Sequence, residues 1–293
     1  NRAMALGGIV GFIGGAGLIF LRKILRKRIE SSEELENIGL PVFATLNRNL
    51  KAERLNRRAQ RLPLIADEDP QDAFVEGLRS LRTSLHFGML DSETRSVLLT
   101  SATPNVGKSF ISANFAAVSA QAGQRVCLVD GDLRRGTLRK YFGVDRSHSG
   151  LANVVSGECS LKEALRATPI EGLTILTSGH FPPNPAELLM REDLGQIIKE
   201  LDNEFDLIIV DSPPIMAVTD AVIISRAVGS TIFVARASQS HPAEVISSMK
   251  ILSNSGTKIS GAILNGFDPK RARGRYGYGY GYGYGYGYRT DDK

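Results

Sequence analysis

Eight residues, Ala102, Thr103, Pro104, Asn105, Val106, Gly107, Lys108 and Ser109, stand between an unbroken apolar run at 96–101 and a helical segment at 108–122. They match the Walker A pattern, except that Ala102 stands where the first glycine is usual. A strand, such a loop and a helix together aim backbone N–H groups at one point, which is how a chain grips a polyphosphate. Gly107 lets the main chain come close. Lys108 brings a mobile positive charge to the β and γ phosphates, Ser109 offers a hydroxyl to Mg2+, and Phe110 opens the helix behind them. Alanine at 102 adds one methyl group, which fits if φ there is negative.

The surrounding pattern is regular. Apolar runs at 96–101, 126–130, 173–177, 207–211, 231–235 and 259–264 alternate with helical stretches at 108–122, 186–203, 220–228 and 243–253. Most runs are continuous rather than alternating, as parallel strands covered on both faces require. The expected fold is therefore α/β, a doubly wound, mostly parallel sheet of the P-loop NTPase type, with ligands beyond the carboxyl ends of the strands.

Two of those strand ends are acidic. The run 207–210 ends in Asp211 followed by Ser-Pro-Pro, the Walker B arrangement, whose carboxylate holds Mg2+ directly or through water. The run ending at Val129 gives Asp130, then Asp132 and Arg134, so two carboxylates one residue apart face the same end of the sheet.

Both flanks of this domain differ from it. Residues 4–21 carry no charge, about the length needed to cross a hydrocarbon core. Arg22, Lys23, Arg26, Lys27 and Arg28 follow, so the C-terminal side is expected to be cytoplasmic. Gly7, Gly11 and Gly15 line one helix face and suit close approach of another membrane helix. The chain starts with Asn1, and a fragment with extracytoplasmic sequence upstream is expected. Residues 22–69 read as a juxtamembrane segment and linker with a short strand around 42–46, and the globular domain is expected over 70–268. Pro70 and Asp72 open a helix with Phe74, Leu78, Leu81 and Leu85 on its apolar face and Glu76, Arg79 and Arg82 on another stripe. The two cysteines, Cys127 and Cys159, form no motif, which fits a reduced compartment without disulfides.

Seven of the eight tyrosines stand at the C-terminus: Tyr276, Tyr278, Tyr280, Tyr282, Tyr284, Tyr286 and Tyr288, each separated from the next by glycine. Glycine at every second place makes ordering costly and offers no second side-chain face, so a disordered tail is expected over 269–293. From Asp268 to Tyr288 an extended chain spans roughly 65–70 Å at about 3.3 Å per residue.

The P-loop with Pro104, the Asp130-x-Asp132-x-Arg134 strand end and Asp211-Ser-Pro-Pro together resemble the bacterial tyrosine kinases, the cytoplasmic kinase domains of polysaccharide co-polymerases. The resemblance covers roughly the whole chain, including the membrane segment, Glu76-x-x-Arg79-x-x-Arg82, the Pro-Pro-Asn-Pro-Ala-Glu-Leu-Leu stretch at 182–189 and the tyrosine tail. It implies ATP and Mg2+ as cofactors, with Lys108 and Ser109 on phosphate and metal. Asp132 and Asp211 would organise the metal, and Asp130 would act as base or orienter for an incoming phenol. It implies autophosphorylation of the tail, in trans, within a homo-oligomeric ring that Glu76, Arg79 and Arg82 help to build. The partners it implies are the membrane, the polysaccharide polymerisation and export machinery and a phosphotyrosine phosphatase. The place it implies is the bacterial inner membrane, and no nucleic acid is expected.

The rival reading is an ATP-driven switch of the MinD/ParA type without kinase activity. Such ATPases carry a second lysine early in the P-loop, where this chain has Thr103. They also use an asparagine after the last strand on the adenine. Asn265 sits there, and reads equally as that contact or as a turn residue.

Overall fold

The computed structural model describes residues 28–50, 61–90, 92–191 and 193–270, together with Gly15. The expected membrane helix at 1–21 and the tyrosine tail lie outside the described residues. Among the described residues no helix is long and apolar enough to cross a membrane.

Eight strands form one sheet: β1 (Val42–Asn47), β2 (Ser96–Thr100), β3 (Val126–Asp130), β4 (Arg166–Ala167), β5 (Leu173–Leu176), β6 (Leu207–Asp211), β7 (Ser230–Arg236) and β8 (Gly261–Phe267). Their order is β1-β8-β7-β2-β6-β3-β5-β4. Every neighbouring pair is parallel except β4 against β5. All residues of β2, β3 and β6 are buried, as the continuous apolar runs predict for a sheet covered on both faces.

The helices divide between the two faces. On one lie α1 (Ala73–Gly88) and α2 (Lys108–Gln121). The carboxylate of Asp72 caps α1 by accepting from the N–H of Phe74 at 2.8 Å. Its predicted apolar face of Phe74, Leu78, Leu81 and Leu85 packs with Val97, Leu99, Phe115 and Ile209 in one core. Helix α2 is small and apolar nearly all round, so it can sit wholly inside, between α1 and the sheet. On the opposite face α3 (Asp193–Glu204) sets Leu194, Ile197, Ile198 and Leu201 against Leu98, Cys127, Val129 and Ile208. Val97 and Leu99 thus face one core and Leu98 the other, the two-residue period of a strand. Burial pushes the Cys127 thiol well up, which leaves it an inert core side chain. The remaining helices, α4 (Asp220–Ser225) and α5 (Pro242–Asn254), flank β7, and α5 joins Ile29, Leu35 and Leu40 in a third core.

Three features differ from the sequence expectation. The segment assigned to a linker supplies β1, which pairs in parallel with β8 from Val42 against Ala262 to Asn47 against Phe267. The sheet therefore begins well before residue 70, and a Cβ on Gly77 of α1 would meet Leu46 Cδ2 at 2.8 Å. The helix expected over 186–203 is two helices, Pro185–Leu189 and α3, separated at the exposed Met190. The helix expected over 220–228 ends at Ser225.

Candidate active site

The carboxyl ends of β2, β3, β6, β7 and β8 converge on one cavity of about 820 Å³. The P-loop forms its base. Gly107 has φ +99, the left-handed region, and a Cβ there would collide with the amide of Asn265. Asn105 also has a positive φ of 65. Ala102 is absent from the positive-φ residues among those described, as its fit requires. Its methyl group packs with Ile215, Ala221 and Ala235. The chain after Asp211 closes over it, with the N–H of Ile215 on the carbonyl of Ser101 and that of Met216 on Ala102. Alanine thus contributes to the core where glycine would leave a gap. Ala102→Gly is expected to lower unfolding free energy by about 1–2 kcal/mol without tightening nucleotide binding. A urea melt together with a nucleotide titration checks both halves.

Lys108 is only 8% exposed. Its Nζ donates to Ser101 Oγ at 3.0 Å, and the Ser101 hydroxyl donates in turn to the Thr103 carbonyl at 2.8 Å. Burial pulls the lysine pKa down, while Asp211 and Asp132 pull it up. Asp211, fully buried at the end of β6, is raised to about 6 by burial, against the pull of Lys108 and the hydroxyl of Ser109. Ser109 Oγ donates to Asp211 Oδ2 at 2.5 Å and Ser112 Oγ to Oδ1 at 3.2 Å. Walker A and Walker B are thereby joined in one contact. Among the described residues no group of three or more His, Cys, Asp or Glu side chains could by itself hold a metal ion. The Ser109 hydroxyl and the Asp211 carboxylate are the pair that could serve a metal ion whose shell phosphate oxygens and water complete. A buried lysine, a serine hydroxyl tied to a carboxylate and a glycine cradle at a helix N-terminus fit a nucleotide with its metal.

The loop 131–137 forms the next wall. Gly131 donates its N–H to the Asp211 carbonyl at 2.8 Å, and a Cβ there would meet that same oxygen at 2.7 Å. Asp132 Oδ1 accepts from the N–H groups of Arg134 and Arg135, both at 3.1 Å, and Asp132 lines the cavity. Asp130 does not. It is fully buried, its Oδ1 accepts from Asp132 N–H at 3.2 Å and its Oδ2 from Leu138 N–H at 3.0 Å. Burial, then the negative charges of Asp211 and Asp132, push its pKa well up. The residue expected to meet an incoming phenol is thus the one that ties down the loop from behind. Arg134, which also lines the cavity, locks the loop, with Nε and Nη2 bidentate on the buried Asp220 of α4 at 2.8 and 2.9 Å.

Several lining residues carried no motif signal. Asn47, Arg48 and Asn49 reach the cavity from the end of β1, Leu62 and Pro63 from the supposed linker, and Arg236 and Gln239 from the end of β7. Those on β1 and β7 come from separate strand ends, and only the rule that ligands sit at such ends could have pointed to them; Leu62 and Pro63 carry no such signal. Asn265 lines the cavity and donates Nδ2 to the Val106 carbonyl at 2.7 Å. It therefore braces the P-loop, a role neither expectation named. On α1, Glu76 and Arg79 pair at 2.8 Å on the exposed side, and Arg82 has no hydrogen bond or ion pair among the described residues.

The family profile described as an AAA domain matches residues 95–243, the span from β2 to the start of α5. The tyrosine-protein kinase etk of Escherichia coli (strain K12) is 40% identical over 276 residues, which is 90% of this chain and 38% of that protein. The chain thus spans well under half the length of the curated relatives it matches. The solved kinase domain of Escherichia coli tyrosine kinase ETK is 39% identical and superposes with a TM-score of 0.78, covering 87% of this chain and all of that one. A more distant structure, the septum site-determining protein MinD of Pyrococcus horikoshii complexed with Mg-ADP, is 26% identical with a TM-score of 0.52, over 62% of this chain and 76% of that one. With the P-loop, its two acidic strand ends and the shared sheet, the chain is a nucleotide-binding domain, and it belongs to the bacterial tyrosine kinases.

Proposed function

We propose that this domain transfers the γ-phosphoryl group of MgATP to tyrosines of its own C-terminal cluster, Tyr276 to Tyr288, reaching the site of a neighbouring copy. The observation that carries the reading is the junction of Lys108, Ser109 and Asp211 at the base of the cavity, in a chain that carries seven tyrosines between Tyr276 and Tyr288. Lys108 would balance charge on the transferring oxygens, and Ser109 with Asp211 would hold the magnesium. A tyrosine phenol has a pKa near 10 and is a weak nucleophile at neutral pH, so a carboxylate must accept or orient its proton. Asp132 faces the cavity and suits that task. Asp130, enclosed behind it, sets the loop that carries Asp132.

Thr103, in place of a second P-loop lysine, favours the kinase over the MinD/ParA switch. The exposed Glu76–Arg79 pair, worth only tenths of a kcal/mol within one helix, and the unpartnered Arg82 support their use between subunits of a ring. The membrane helix at 1–21 with the cytoplasmic kinase domain below it rests on the uncharged run and its flanking Lys and Arg, the tail at 269–293 on its Tyr-Gly composition, and the polysaccharide polymerisation and export machinery and a phosphatase partner on the resemblance. The expected test result is simple. Purified chain incubated with MgATP yields a C-terminal peptide bearing phosphate on tyrosine by mass spectrometry. A tail-deleted copy with an active site phosphorylates the tail of a Lys108→Met copy. A folded, ATP-binding protein whose tail stays unmodified refutes the kinase reading and leaves the switch.

A further inference from the structure

Just outside the cavity, on the far side of loop 131–137, an aromatic ring and an arginine stand together. Gly136 lies between Arg135 and Thr137, both of which line the cavity. A Cβ on Gly136 would press on Phe181 Cε1 at 3.0 Å, so the Phe181 ring lies against the backbone of that loop. Phe181 is nonetheless 38% exposed. The guanidinium of Arg146 sits 4.3 Å from its ring centroid, a cation–π pair.

Both side chains are held on firm supports. The loop before Phe181 is pinned by Leu151 N–H on the Thr177 carbonyl at 2.7 Å and Ala152 N–H on the Ser178 carbonyl at 3.0 Å. Two prolines follow it, Pro182 and Pro183. Arg146 is presented at the tip of a turn in which Asp145 Oδ1 accepts from the Ser147 N–H at 2.8 Å and the Ser147 hydroxyl at 2.7 Å. Those bonds hold the Asp145 carboxyl below its usual range and occupy it with Ser147. Among the described residues Arg146 has no carboxylate within ion-pair distance. An exposed arginine with no acid partner, set over an exposed aromatic ring, is a ready platform for a second aromatic ring and for a phosphate on it.

The sequence of the proposed acceptor has a matching period. In an extended Tyr-Gly repeat the rings fall on one face about 7 Å apart, two residues at 3.3–3.4 Å each. A phenol in the cavity thus leaves the next ring about 7 Å away. We propose that Phe181 and Arg146 form a flanking subsite for the tyrosine two residues from the acceptor. Phe181 takes the unmodified ring, and Arg146 takes the phosphate once that ring is modified. Gly-spaced tyrosine clusters are thereby preferred over isolated tyrosines, and a first phosphorylation favours its neighbour. A phosphotyrosine carries about −1.5 to −2 charges, which an unpaired guanidinium meets with charge-assisted hydrogen bonds.

This inference rests on the kinase reading, and the experiment separates the two. Wild-type chain and the variants Phe181→Leu, Phe181→Ala and Arg146→Ala are assayed with MgATP on three synthetic peptides. One has a single tyrosine in glycine, one has Tyr-Gly-Tyr, and one has a tyrosine followed two places on by phosphotyrosine. Phe181→Leu keeps apolar bulk against Gly136 and guards against loss of folding. For the wild type, KM on the two-ring peptides is expected to be lower than on the single-tyrosine peptide by about five- to ten-fold, the size of a cation–π or stacking contact. Phe181→Leu and Arg146→Ala should erase that advantage and leave the single-tyrosine KM and kcat unchanged. Arg146→Ala should act most on the phosphotyrosine peptide. Equal KM values of wild type on all three peptides, or variants that slow all three alike, overturn the subsite. A folded wild type that modifies no peptide, nor its own tail, overturns the kinase reading and the subsite with it.

Discussion

Chain carrying Lys108→Met, incubated with MgATP, should give a C-terminal peptide with no detectable phosphotyrosine. The loss is expected to reach at least about 10²–10³-fold, the usual cost of removing one preorganised donor from a transferring group. The site argues for the upper end. Lys108 is nearly enclosed, and its Nζ is held by Ser101 Oγ at 3.0 Å. Its positive charge offsets Asp211 and Asp132, both buried beside it. Methionine keeps the length and the apolar stem, so the core around α2 should survive. Without the cation the Asp211 carboxyl moves further up, and the site loses both the phosphate clamp and part of its hold on metal. Mass spectrometry reads the phosphate, and a melting temperature close to that of the wild type shows that folding is intact. Phosphorylation at the wild-type rate would mean that the γ-phosphate is held elsewhere.

The second large effect lies outside the cavity. Asp220→Ala should lower stability by about 2–3 kcal/mol and phosphorylation by at least about ten-fold. Asp220 is fully buried and accepts both prongs of Arg134, whose side chain is 39% exposed. Removing one partner of an enclosed pair commonly costs 3–5 kcal/mol, but here the stranded guanidinium can turn to water, which trims the figure. The catalytic loss comes through position. Arg134 anchors the loop whose Asp132 lines the cavity, and a displacement of about 1 Å at such a group can cost 10²-fold. Denaturant melts give the first number and initial rates the second. Asp220→Asn, which keeps one acceptor, should fall between. A variant that is less stable yet fully active would show that loop 131–137 holds its shape without the arginine.

Much of this was readable from the chain. The six apolar runs all became strands, because interior parallel strands must be apolar on both faces and no other element of that length is. The P-loop and its two acidic partners were legible because phosphate chemistry constrains residue type and spacing together. The strand β1 was seen only as a short strand in a linker. A strand of six residues between charged stretches, four of them half-buried, carries little signal, and its membership of the sheet depends on β8, more than two hundred residues away. The break at Met190 was missed because the heptad-like spacing runs through it. The opposed roles of Asp130 and Asp132 were not legible either. They are one residue apart and identical in type, and only the turn that gives one to the cavity and the other to the backbone of Leu138 tells them apart.

The edge position of β1 has a thermodynamic corollary. Asn47, Arg48 and Asn49 continue from this outermost strand into the cavity wall, and on one side β1 has no further neighbour among the described strands. An outer ribbon of this kind detaches at lower free energy than the interior ladder. Whatever fills the cavity against those three residues binds only while the ribbon is seated, so occupancy fastens it by mass action. By reciprocity, tension on the chain upstream of Val42 that lifts the ribbon must weaken the grip on the occupant by the same factor.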